Sequence, residues 1–145
     1  MGMSELTFNG NDHTITLRDR NGQVVGTWEA NNRTASTATL PYVRNGNYQV
    51  QDRHQPHTHG AREDTADGEY GSHGIIRFNV NGHDGVGIHS GRNNTPDRTP
   101  QQGTGTDHVT NGCIRTTDEA MRAISETMQQ DPLLTVHVEH NRNQR

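Results

Sequence analysis

The chain has one cysteine, Cys113, among 145 residues, so no internal disulfide can hold it together. It has one tryptophan, three tyrosines and two phenylalanines, and only 26% of its residues are hydrophobic. Mean hydropathy is −1.06. The core must therefore be small and the loops long and polar. No apolar run approaches the roughly 20 residues that a membrane-crossing helix needs. The opening residues MGMSELTFNG show no charged segment leading into an apolar one, so a Sec-type leader is not expected. Charge has no direction either. The 13 basic and 17 acidic residues are mixed along the chain, for a net of −4, and no basic stripe with interleaved aromatics marks a nucleic-acid partner. Such polarity borders on the disordered class. Against disorder stand apolar residues in short patterned runs and 16 glycines spread over turn-like positions. The expectation is one folded, loop-rich domain over residues 1–145.

What is present reads as short strands. Leu6-Thr7-Phe8 and Thr14 to Leu17 alternate as half-buried strands do. Asn9-Gly10 and Asn21-Gly22 are hairpin-turn dipeptides. Gln23 to Trp28 follows as a returning strand, with Trp28 expected in the core, and Gly46 to Gln51 is another alternating run. Residues 52–73 form a polar, His-rich stretch without periodicity. Gly74 to Val80 reads as a strand turning at Asn81-Gly82, and Val86 to His89 as a short strand ending on a histidine. A second polar loop runs from Ser90 to about Asp107. One helix stands out: Thr116-x-x-Glu119 has the form of a capping box, Ala120, Met121, Ile124 and Met128 share one face, and Asp131-Pro132 stops it. Leu134, Val136 and Val138 then alternate as a closing strand. The fold class is mainly β, with one helix just after Cys113.

A lone thiol is either a small buried hydrophobe or a nucleophile. As a nucleophile it needs an imidazole to take its proton and main-chain N–H groups to receive an oxyanion. Gly112 suits a tight turn that lets backbone approach a substrate. The helix beginning a few residues later would lower the thiol pKa if its positive end pointed at the sulfur.

The flanking residues favour the second role. GIHSG, Gly87 to Gly91, followed after a loop by TNGCIR, Thr110 to Arg115, resembles the active-site signature of YkuD-type L,D-transpeptidases. That signature is His-Gly or His-Ser at a strand end, a variable loop, then Ser/Thr-x-Gly-Cys-Ile/Val-Arg. DRNGQVVGTWEA and LPYVRNGNYQV are similar to the opening strands of small members of the family. The compact size and missing leader resemble type VI secretion effectors of this family, which are made in the cytoplasm and act in a rival's periplasm.

The resemblance implies a β-sandwich or barrel and an enzyme acting on peptidoglycan stem peptides, as L,D-carboxypeptidase, L,D-transpeptidase or both, without metal or organic cofactor. It implies Cys113 as nucleophile and His89 as general base, with the Ser90 carbonyl orienting the imidazole in a triad that lacks a carboxylate. The N–H groups of Gly112 and Cys113 would form the oxyanion hole. Arg115 would organise the site or meet a substrate carboxylate. Asn111 stands where many members have histidine; an amide cannot act as a base near neutral pH, which leaves His89, with His108 in reserve. Tyr70, in a Gly-rich loop, is a candidate for lining the substrate groove. An immunity protein and a secretion-system component are the partners such an effector would have.

Two other readings stay open: a non-catalytic binding domain of the same fold, and a cysteine enzyme on a non-peptidoglycan substrate. HQPHTH supplies His54, His57 and His59, with His73 beyond, but their spacing matches no defined metal motif, and a solvated loop is the preferred reading.

Overall fold

The computed structural model describes residues 3–93 and 104–141. Eight strands and one helix follow in the order β1 (Ser4–Asn9), β2 (Thr14–Arg18), β3 (Val24–Asn31), β4 (Gly46–Gln49), β5 (Ile76–Arg77), β6 (Gly87–His89), β7 (Ile114–Thr116), α1 (Asp118–Met128) and β8 (Leu133–Glu139). Of the second polar loop, residues 94–103 lie outside the described residues; a single 3-10 turn, Gly105–Asp107, follows them.

The strands form one sheet in the order β4-β8-β1-β2-β3-β7-β6-β5. β3 joins its two halves. Residues up to Glu29 pair with β2, whereas Ala30 and Asn31 pair with Thr116 and Arg115 of β7. The far edges also meet, because Val50, just past β4, bridges Phe78, just past β5. Gln51 N–H donates to Arg77 O at 2.8 Å and Asn79 N–H to Gln49 O at 2.9 Å. The sheet thus curls until its edge strands touch, which removes most unpaired edge.

Alternation explains the core. Leu6 and Phe8 of β1, Ile15 and Leu17 of β2, and Val136 and Val138 of β8 point inward beneath the helix face of Ala120, Met121, Ile124 and Met128. The outward positions of β1 and β2 are polar, so the limited apolar content of a 26% hydrophobic chain is concentrated on the inward strand faces and the helix. The large hydrophobic side chains left exposed among the described residues are Met3, Val24 and Val25.

Several local expectations are corrected. The Asn9-Gly10 turn is not a two-residue hairpin. Asn9 Oδ1 accepts the N–H groups of Asn11 and Asp12 at 3.0 and 2.9 Å, and the left-handed residue is His13 (φ 56°). Gly10 serves close approach instead, since a Cβ there would lie 2.5 Å from Asn141 Oδ1. The strand over 74–80 shrinks to Ile76–Arg77 with isolated bridges on either side. Trp28 packs on the core's margin and is half-buried, because the outer part of β3 projects beyond it. In β8 the inward residue is Leu133 rather than Leu134, since a bulge opposite Ser4 and Glu5 skips one position.

The helix cap shifts by one residue. Thr116 remains extended because β7 pairs it with Ala30, and its hydroxyl donates to Glu29 O at 2.7 Å. Thr117 is the N-cap, accepting the Ala120 N–H at 3.0 Å. The capping box through Glu119 is therefore not formed.

Candidate active site

β6 and β7 lie side by side in parallel, with His89 paired to Arg115 and Ile88 to Ile114. This register sets the end of one strand beside the start of the other. His89 closes β6 and Cys113 immediately precedes β7. Both open on one cleft of about 360 Å³, lined also by Tyr70, Arg92, His108, Asn111 and Arg115. Of the residues expected at the site, Tyr70, His89, His108, Asn111, Cys113 and Arg115 line this cleft, Ser90 and Gly112 adjoin His89 and Cys113 in the chain, and His54, His57, His59 and His73 are not among its lining.

His89 is 2% exposed. Its Nδ1 lies 2.8 Å from Ser90 O. A carbonyl can only accept, so Nδ1 carries the proton and Nε2 keeps its lone pair. Burial, then the charge of Arg115, push the imidazole pKa down to about 3. At neutral pH the ring is uncharged and able to take a proton.

Arg115 is also 2% exposed. Its Nη1 donates to Ser90 O at 2.8 Å and to Glu69 O at 3.0 Å. The guanidinium thus holds the same carbonyl that orients His89. That interior position suits organisation of the site.

The carbonyl's own residue is anchored by a carboxylate that sequence reasoning did not include. Ser90 Oγ donates to Asp118 Oδ1, and Asn93 Nδ2 donates to the other oxygen at 2.7 Å. Asp118 sits in the first turn of α1. The chain Asn93–Asp118–Ser90–His89 therefore ties the imidazole to the helix. Loop residues crowd the same point: Gly71 has φ 78°, and a Cβ on it would lie 1.9 Å from Ser90 Oγ.

Cys113 is half-buried. Burial pushes its thiol pKa up, against an opposing hydrogen bond from the Gly87 N–H. The expected lowering by the helix is not found. β7 intervenes between Cys113 and α1, and the helix's first turn carries Asp118, which takes up the Ser90 and Asn93 donors. Both shifts favour the neutral forms, thiol and imidazole, of the two groups on this cleft over an ion pair.

The turn before the cysteine is built tightly. Gly112 has φ 133°, in the region that favours glycine, and a Cβ would lie 3.2 Å from Leu40. Its N–H donates to Thr110 Oγ1 at 3.2 Å, while that hydroxyl donates to Cys113 O at 2.8 Å. Asn32, missed in the sequence, reaches both carbonyls of the turn: its Nδ2 donates to Gly112 O at 2.9 Å and Cys113 O at 3.0 Å. No local pattern distinguishes Asn32 from the chain's other loop asparagines. Thr110 belonged to the motif and was within reach.

The remaining candidates fall around the rim. His108 repeats the His89 arrangement, with Nδ1 2.8 Å from Val109 O. Asn111 is exposed. Tyr70 meets the His89 ring edge-on, centroids 5.1 Å apart, and His59 stacks on its outer face at 3.9 Å. His57 and His59 join this row of rings. Among the described residues no three His, Cys, Asp or Glu side chains converge to hold a metal.

A buried, oriented histidine closing β6 and a cysteine just ahead of the parallel β7 thus share one cleft of a curled sheet. Residues 4–138 match the model of the L,D-transpeptidase catalytic domain (YkuD). The chain belongs to that family. Solved structures with the same fold include L,D-transpeptidase 1 of Mycobacterium tuberculosis, with a TM-score of 0.53 and 16% identity, covering 94% of this chain and 61% of that one. An L,D-transpeptidase of Stackebrandtia nassauensis gives a TM-score of 0.58 and 17% identity over 97% and 57% of the two chains. The helical cell shape determining protein Pgp2 of Campylobacter jejuni gives 0.64 and 12% over 97% and 49%. The present chain thus spans about half to three-fifths of the length of these structures. Comparison with curated protein sequences gives no match. Among the described residues no helix is long and apolar enough to cross a membrane.

Proposed function

We propose that this domain attacks peptidoglycan stem peptides at the carbonyl joining the L-centre of meso-diaminopimelate to the terminal D-alanine of a tetrapeptide. The observation that carries the reading is the His89 ring, its Nδ1 fixed on Ser90 O at 2.8 Å, opening with Cys113 on one cleft. Nε2 takes the thiol proton as sulfur attacks, the C–S bond forms, and the carbonyl becomes an oxyanion. Proton transfer and attack are concerted in this scheme because the resting thiol is neutral. Collapse breaks the C–N bond, and the imidazolium returns its proton to the leaving D-alanine amine. The thioester then passes to water, for carboxypeptidase action, or to an amine, for crosslinking or D-amino-acid exchange. His89 accepts the incoming proton and gives it back to sulfur. The oxyanion is assigned to the N–H groups of Cys113 and Gly112, the latter exchanging its long bond to Thr110 Oγ1. Nothing in this balance requires a metal or an organic cofactor.

The resemblance to secreted effectors extends the proposal to delivery into a target cell's periplasm, with an immunity protein as a partner. Peptidoglycan lies in that compartment, so the chain should harm cells when directed there and not when retained in the cytoplasm.

The test is mass spectrometry of purified muropeptides after incubation with wild type and with Cys113→Ala. Wild type should remove or exchange the terminal D-alanine, and the variant, folded as wild type, should not. Trimming by Cys113→Ala would overturn the mechanism; muropeptides untouched by wild type would overturn the substrate.

A further inference from the structure

A cation on the cleft is left over once the base and its supports are accounted for. Arg115 is turned inward onto two carbonyls. Arg77 is held by Asp52 at 2.9 Å and Arg20 by Asp131 at 3.1 Å. Arg92 is different. It stands three residues after His89 and lines the cleft with Cys113 and His89. It also borders a neighbouring cavity of about 520 Å³ formed with Arg62, Glu63, Asp67 and Glu69.

The backbone of Arg92 is placed with care. Gly91 has φ 108° and Arg92 itself φ 56°, a conformation uncommon for a side chain of this size. It is held on both sides, Arg92 N–H donating to Gly68 O at 3.0 Å and Gly105 N–H donating to Arg92 O at 2.7 Å. The turn cannot relax without releasing these bonds. Its Nε is buried and meets no hydrogen-bond partner among the described residues. The Nε of Arg115 is buried in the same way; what sets Arg92 apart is that, among the described residues, its guanidinium meets neither the carbonyls that hold Arg115 nor a carboxylate such as those that hold Arg77 and Arg20. Its charge already reaches the site, since Arg92 contributes to the low proton affinity of His89. Glu69 and Asp84 also line the cleft, so the cation is not part of a uniformly basic surface.

We infer that Arg92 is a substrate-binding residue that receives a carboxylate of the stem peptide. A planar guanidinium matches a carboxylate in geometry and charge. The inference rests on the stem-peptide reading above. That substrate offers two carboxylates near the scissile bond, on the terminal D-alanine and on the D-centre of diaminopimelate. Both present the same chemistry to Arg92, and the experiment separates them.

Binding is measured by calorimetry in the Cys113→Ala background, with no turnover, for three synthetic tetrapeptides. One carries diaminopimelate and a free terminus, one has the terminus amidated, and one has lysine for diaminopimelate. With Arg92 present, losing the recognised carboxylate should weaken binding by about 10- to 100-fold, the scale of one charge-assisted hydrogen-bonded contact. Sensitivity to the amide assigns D-alanine; sensitivity to lysine assigns the D-centre. Arg92→Gln should weaken the parent peptide by the same factor and erase the discrimination. Arg92→Lys should retain part of it. In the cysteine-containing enzyme the loss should fall on KM more than on kcat. Equal weakening of all three peptides by Arg92→Gln, or binding indifferent to both carboxylates, would overturn the assignment. Muropeptides uncut by wild type while discrimination persists in binding would refute the reaction and leave Arg92's role standing.

Discussion

The imidazole of His89 should make the protein unusually sensitive to acid, by an amount that can be worked out. In the native protein burial, then Arg115, hold its pKa down to about 3; in the unfolded chain it returns to about 6.5. Between these values the unfolded state binds a proton that the native state refuses. Stability therefore rises with pH through this window, and is lost as pH falls from about 6.5 towards about 3. At about 1.4 kcal/mol per pH unit, acidification to pH 4.5 should cost about 3 kcal/mol from this one group. That is a large share of the roughly 5–15 kcal/mol that holds a typical domain together. Other histidines and the carboxylates titrate too, so the comparison is with His89→Gln, whose amide can still donate to Ser90 O but does not titrate. Urea unfolding followed by fluorescence of Trp28, the one tryptophan, at steps from pH 7 to pH 4.5 gives both curves. Wild type should lose about 3 kcal/mol more than His89→Gln over that range. Parallel curves would show that His89 does not bury a neutral ring, and the account of the resting site would fall with it. The same property bears on turnover: the acid limb of kcat/KM should lie well below pH 6, where an ordinary histidine would place it.

Two further outcomes follow from the geometry. Cys113 should be alkylated by iodoacetamide with an inflection above the ordinary thiol value of about 8.5, because burial raises its pKa; an inflection below pH 7 would indicate a preformed ion pair instead. Thr117→Ala should destabilise the protein by about 1 kcal/mol through loss of the α1 cap, whereas Glu119→Gln should be near neutral, and equilibrium unfolding distinguishes the two.

Much of the sheet was legible because its inward residues alternate cleanly, as in Leu6 and Phe8 against Ile15 and Leu17. The helix face was legible for the same reason at a different period. Misplaced boundaries fell where tertiary contacts decide between adjacent residues. Thr116 and Thr117 are equally good caps in isolation, and only the pairing of Thr116 with Ala30 excludes the first. Leu133 and Leu134 are equally apolar, and a bulge against β1 chooses between them. The cleft's lining was largely readable because motif residues lie close together in sequence. Its supports were not. Ser90 and Asp118 are 28 residues apart, and Asn32 is 80 from Gly112, so nothing local links them. Arg92 was overlooked beside a motif that ends one residue earlier.

With so few apolar residues, the interior beside Cys113 is organised by amides. Asn32 is 1% exposed. Its Nδ2 donates to Gly112 O and Cys113 O, and its Oδ1 accepts from Val43 N–H at 2.7 Å and from Asn141 Nδ2 at 3.0 Å. Two donors and two lone pairs are thereby all used, so burial leaves nothing orphaned. This matters for chemistry through the planarity of the peptide unit. Gly112 O and Cys113 N–H belong to one trans peptide and point in opposite directions. Fixing the carbonyl inward on Asn32 therefore aims the Cys113 N–H away from it. In the proposed reaction that N–H receives the oxyanion, and such a donor works best when its direction is set before the charge develops. Asn32 supplies that direction from β3–β4 loop backbone pinned through Val43, while Asp118 supplies the corresponding direction to His89 from α1. The nucleophile's turn and the base are thus held by separate polar anchors that the curled sheet brings together.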